Sequence, residues 1–101
     1  MPEYYISDEA AADLHDIWRG HIERGGSEAN ADAIIAGLLV AFQNLADFPD
    51  IGRPRAFLKP YERALPHDDF LIVYEMQPDR LAILHVVSGR MNLPAYFAED
   101  E

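Results

Sequence analysis

Arg53, Arg55, Arg63 and Arg90 fall in the second half of the chain, beside short apolar runs and turn clusters. A guanidinium presents a fork of donors suited to carboxylates and phosphates, so these four are the first candidates for gripping an anionic partner. Set in loops and at strand ends they can converge in space, or each can pair locally with one of the many carboxylates. Nucleophiles are scarcer. The chain has no cysteine, no threonine and three serines. Ser7 and Ser27 precede helical patterns and read as N-caps. Ser88 lacks a G-x-S-x-G setting, so serine-hydrolase chemistry is not indicated. The histidines, His15, His21, His67 and His85, include no i, i+4 pair and have no carboxylate placed to complete a metal motif. Neither metal nor cofactor is expected. His15 is assigned to the polar side of the first helix, His67 to a turn and His85 to the strand face of Ile83 and Val87, as a hydrogen-bonded sheet histidine. The acidic residues are spread at spacings that suit solvated faces.

These side chains belong to a chain of 101 residues, half of it hydrophobic, enough for one core and one domain, residues 1–101. Eighteen acidic residues against eight basic ones give a formal net charge of -10. Direct nucleic-acid binding is disfavoured, because contact with a phosphate backbone depends on neutralising cations. The start, MPEYYISDEA, has no basic and apolar signal regions, and no uninterrupted apolar run reaches about 18 residues. A cytoplasmic protein without membrane contact is expected, and the lack of cysteine agrees with a reducing compartment.

The pattern predicts a short strand at residues 3–6 and a first helix from Ser7 to about Arg24, with Leu14, Ile17, Trp18 and Ile22 on one stripe and Gly25-Gly26 as its stop. A second helix starts at Ser27 and runs through Ala31, Ile34, Ile35, Leu38, Leu39, Phe42 and Leu45 to near Pro49. Their short connection makes an antiparallel hairpin. Residues 48–59, with prolines, a glycine and arginines, read as a loop. Residues 61–65, 70–76 and 80–87 then read as a three-stranded meander, the last strand apolar on both faces and therefore central. The fold class is α+β: an N-terminal short strand and a helical hairpin packed on one face of an antiparallel sheet built around the C-terminal meander. Leu38 and Leu84 are expected to meet across that interface. Residues 91–97 are too apolar for a free tail, whereas the acidic end, residues 98–101, is expected to fray.

From Phe48 to Leu93 the ordered segments FPDIGRPR, the lone Arg63, FLIVY and DRLAILHVVSGRMNLP resemble the ParE branch of the RelE/ParE toxin superfamily. Ala11, Leu14, Ile17, Trp18 and Ala31 match its helix positions. The resemblance implies the toxin half of a type II toxin-antitoxin module, bound by a cognate antitoxin of the ParD or another type in a hetero-oligomer, with DNA gyrase as the possible target. It implies target or antitoxin binding at Arg53, Arg55, Arg63, Tyr74, Arg90, Leu93, Tyr96 and Phe97. An antitoxin segment folding on contact would cover apolar side chains such as Trp18, Ile22, Leu93 and Phe97. One alternative is the RelE-type reaction, ribosome-dependent cleavage of messenger RNA, which needs cations at the phosphate and a proton shuttle. Here the histidine common before the Gly-Arg pair is Ser88, the second basic residue is Met91 and the usual aspartate is Asn92. These departures favour a protein target. A further alternative is a non-toxic member that retains antitoxin binding.

Overall fold

The computed structural model describes residues 3–98. The expectation of a fraying acidic end therefore lies, from residue 99 onward, outside the described residues. The elements are β1 (Tyr4–Ile6), α1 (Asp8–Glu23), α2 (Glu28–Asp47), β2 (Glu62–His67), β3 (Phe70–Met76), β4 (Leu81–Ser88) and α3 (Leu93–Phe97). Ser7 caps α1 by accepting from the Ala10 N–H at 3.0 Å, and its hydroxyl also donates to the Leu84 carbonyl at 3.1 Å. Ser27 caps α2 through the Asn30 N–H at 3.0 Å. Between the helices Gly25 takes φ +93°, a left-handed conformation open to glycine at little cost. The helices then return as an antiparallel hairpin.

The sheet order is β1-β4-β3-β2. The meander β2-β3-β4 is antiparallel, and β1 adds to β4 as a parallel neighbour, which makes β4 central. The β2–β3 turn consists of Asp68 and Asp69, with Asp68 at φ +52°. Leu38, Phe42 and Leu45 of α2 are fully buried with Ile72, Tyr74, Leu81, Ile83 and Val86 on one face of the sheet. A second, smaller cluster occupies the opposite face, where Phe57, Leu58 and Phe97 pack on Ala64, Leu71, Val73 and Val87. By length and a mean hydropathy of 1.3 α2 passes a membrane-span test, although polar residues interrupt its apolar run. Its stripe packs on the sheet here, as that of a core helix does.

A β-bulge changes two expectations. Val73 pairs with His85 but Tyr74 pairs with Ile83, so Leu84 is an extra residue on β4. One inserted residue reverses which side chains face which layer. Leu84 therefore packs in the second cluster, apart from Leu38, whose cluster includes Ile83 and Val86 of β4. His85 pairs with Val73 and shares a face with Val87, not with Ile83.

The edge strand β2 is closed to strand addition along its free side. The Glu62 N–H bonds the Lys59 carbonyl at 2.9 Å, Ala64 and Arg53 exchange two bonds of 2.9 Å, and Pro66 has no N–H to offer. The segment after α2 thus starts on the hairpin face, crosses this edge and delivers Phe57 and Leu58 to the opposite face.

Candidate functional site

The structure sorts the candidate residues into two places. The first lies where α2 ends. Tyr74, fully buried, donates to the Pro49 carbonyl at 2.6 Å and accepts from the Gly52 N–H at 2.9 Å. Burial raises its hydroxyl pKa, outweighing the Gly52 N–H and Arg63, so at neutral pH it remains a donor. Arg63, paired across the strands with Tyr74, donates to the Gly52 carbonyl at 2.7 Å and is half-buried. Arg53, exposed, forms the bridge to Ala64. Tyr74 was expected to bind a partner, but a side chain with no exposed surface offers none to contact. Arg63 also serves the fold, since a charge-assisted bond to a carbonyl contributes about 1.5–3 kcal/mol.

The second place is the far face and the sheet end bearing the β2–β3 turn. Arg55 and Arg90 converge there, lining a groove of about 320 Å³ with Asp69, Phe70, Leu71 and Leu93. The Arg55 guanidinium stands 5.0 Å over the Phe57 ring, a cation–π contact. Arg90 lies 3.8 Å from Asp69, both side chains more than three-quarters exposed, so this pair contributes little and is exchangeable. Leu93 is 8% exposed and forms the floor rather than a free apolar surface. Phe97 stacks on Phe57 at 5.5 Å, and Tyr96, 41% exposed, meets Phe97 edge-on at 4.9 Å. Asn92 caps this short helix through the Ala95 N–H at 3.3 Å. Trp18 and Ile22 are half-buried, Trp18 donating to Asp32 at 2.8 Å. Among the described residues the large apolar side chains left exposed are instead Leu39, Val40, Phe48, Ile51, Tyr61, Met76, Met91 and Tyr96.

Sequence reasoning missed Asp13. Beyond the end of β1 the free edge of β4 is closed by its carboxylate, which accepts the Val86 N–H at 2.9 Å and lies 3.9 Å from His85 Nδ1. Phe97 and Tyr96 pack edge-on against the His85 ring. Burial raises the Asp13 pKa above 3.8 despite the Val86 bond and the nearby His85, with Asp16 and Glu9 adding to the rise. A raised carboxylate pKa gives stability that is full below the unfolded value and is lost as pH climbs through the folded one. In Asp13→Asn the amide oxygen can still accept from Val86 and cannot ionise. Chemical denaturation is expected to show this variant gaining on the parent as pH rises from below 3.8 to neutrality. A parent that gains on the variant over that range would contradict the assignment. Among the described residues no group of three or more potential ligands is placed to hold a metal ion.

The closed edges, the arginine-lined groove and the aromatic cluster together belong to one small α+β domain. The family described as ParE toxin of type II toxin-antitoxin system, parDE, matches residues 4–93. Toxin ParE3 of Caulobacter vibrioides is 31% identical over 85 residues, spanning 84% of each chain. Toxin ParE1 of the same organism is 30% identical over 96 residues, 95% of this chain and 98% of that one. A structure described as the chromosomal ParDE TA system from P. aeruginosa shares the fold, with a TM-score of 0.75 at 20% identity over 87% of this chain and 96% of the other. The chain belongs to the ParE toxin family of type II toxin-antitoxin systems.

Proposed function

We propose that the protein acts in the cytoplasm as a toxin that binds DNA gyrase, and that a ParD-like antitoxin holds it inactive in a hetero-oligomer by laying a segment along the groove of Arg55, Arg90 and Leu93 and over Tyr96 and Phe97. The observation that carries this reading is the groove itself: two arginines from separate segments meet above an apolar floor beside exposed aromatic surface. That combination suits a protein segment carrying a carboxylate next to an apolar side chain. The family description, a toxin of a type II toxin-antitoxin system, supports an antitoxin as the partner. Ser88, where an RNase of the superfamily would favour histidine, accepts the Arg90 N–H at 3.2 Å, a turn bond within the fold.

Two measurements test the proposal. Purified protein added to gyrase is expected to inhibit supercoiling and to leave ribosome-bound messenger intact; cleavage of the messenger, or folded protein without effect on gyrase, overturns it. Arg90→Ala is expected to melt like the parent, because its pair with Asp69 is exposed, yet to weaken antitoxin binding by about 2 kcal/mol or more if the guanidinium is desolvated in the complex. Unchanged affinity in calorimetry would remove Arg90 from the interface.

A further inference from the structure

Tyr74 itself presents no surface, but its hydroxyl is bonded to the segment that leads to the opposite face. Pro49 and Gly52 are tied to the Tyr74 hydroxyl, and the Gly52 carbonyl is tied to Arg63. The next residue, Arg53, is fixed to the outer edge of β2 by two backbone bonds of 2.9 Å. Only from that crossing point does the chain reach the opposite face, where Arg55 lies over Phe57 and Phe57 stacks at 5.5 Å, 18° from parallel, on Phe97 of α3. The Leu58 N–H then bonds the Arg55 carbonyl at 3.0 Å.

We propose that Tyr74 and Arg63 are positioning residues for partner recognition: from the hairpin side of the sheet they set the point at which the segment crosses β2, and so the placement of Arg55 and Phe57 against α3 on the other side. Several features make this clasp directional. Its tyrosine is in the core and cannot yield toward solvent. Its glycine is buried, and the crossing follows it by one residue, leaving little slack between clasp and edge. Past the edge, the aromatic stack on Phe97 continues to His85, so the position of the crossing bears on the seat of α3. The role in recognition rests on the reading that an antitoxin segment lies across that face.

The full-length protein provides the test, first without any partner. In Tyr74→Phe and Arg63→Ala, NMR is expected to show the Phe57–Phe97 ring contact weakened and exchange of the Arg53 and Leu58 amides accelerated about tenfold or more, as local opening becomes easier. Arg63→Lys, which retains a donor for the Gly52 carbonyl, is expected to restore part of the protection. Leu14→Ala serves as a control destabilised on α1, and is expected to leave the ring contact in place. Equal loosening in the control, or an intact contact and unchanged exchange in Tyr74→Phe, overturns the positioning role. Titration with the antitoxin from the neighbouring reading frame, well below each melting midpoint, separates the two ideas. Tyr74→Phe is expected to bind at least about fivefold more weakly, although Tyr74 touches no partner. Weak binding by Phe57→Ala and Phe97→Ala with normal binding by Tyr74→Phe rejects positioning alone. Normal binding by Phe57→Ala, Phe97→Ala and Arg90→Ala rejects the face as the antitoxin site, and the NMR contact then decides the clasp independently.

Discussion

Replacing Leu38 by alanine is expected to destabilise the domain by about 2–5 kcal/mol in chemical denaturation, as buried leucine truncations do when the surroundings cannot collapse. Leu38 has no exposed surface and sits among Phe42, Leu45, Ile72 and Ile83, all equally enclosed. A domain of this size typically has about 5–15 kcal/mol of stability, so the upper end of the range would leave much of the protein unfolded at physiological temperature. Ile83→Ala, from the opposing wall, belongs to the same class. Leu84→Ala is expected to cost less, because Leu84 is half-buried in the smaller cluster beneath α3. A Leu38 variant within about 1 kcal/mol of the parent, together with a Leu84 variant that loses more, would reverse the assignment of the two faces.

That contrast shows where the sequence could be read and where it could not. The helices were legible because capping and stripe formation are local: Ser7, Ser27 and the spacing of Leu38, Phe42 and Leu45 report on the backbone within a few turns. The meander was legible because its turns carry Pro, Asp and Gln between β-favouring runs. The faces of β4 were not, since all of Leu81, Ala82, Ile83, Leu84, Val86 and Val87 are apolar and the alternation carries no mark of the bulge at Leu84. The parallel seat of β1 rests on pairing with residues almost eighty positions away, which periodicity does not encode. The same limit governs the site. Arg55 and Arg90 line one groove, whereas Arg63 has the same composition signal and a different use. Only the proximity of Gly52 and Tyr74, separated by 22 residues, distinguishes an arginine that holds a carbonyl from one that lines an open groove.

Gly52→Ala is expected to be the most damaging single-atom addition in the loop. A Cβ there would overlap the Tyr74 hydroxyl and stand 2.6 Å and 2.8 Å from its Cε1 and Cζ. Ordinary relief, the swing of a flexible side chain into solvent, is closed because the tyrosine is fully buried in the principal core. Either the ring or the backbone of residues 49–53 must move. Overpacking of this kind costs about 1–3 kcal/mol, and separating the hydroxyl from Pro49 and Gly52 leaves buried polar groups unpaired at a further cost of about 1–3 kcal/mol. Gly25→Ala is the useful comparison. At φ +93° it strains the backbone but its Cβ meets nothing within 4 Å, so about 1 kcal/mol is expected from conformation alone. Because Gly52 and Tyr74 touch, their effects should not add: Gly52→Ala in a Tyr74→Phe background is expected to cost less than the two changes separately, since the nearest overlapping atom and both of its bonds are already gone. Denaturation of the four proteins of that cycle measures the coupling. Strict additivity, or a Gly52→Ala protein as stable as the parent, would mean that the loop yields freely at this point and that the glycine of FPDIGRPR is not held by the tyrosine of FLIVY.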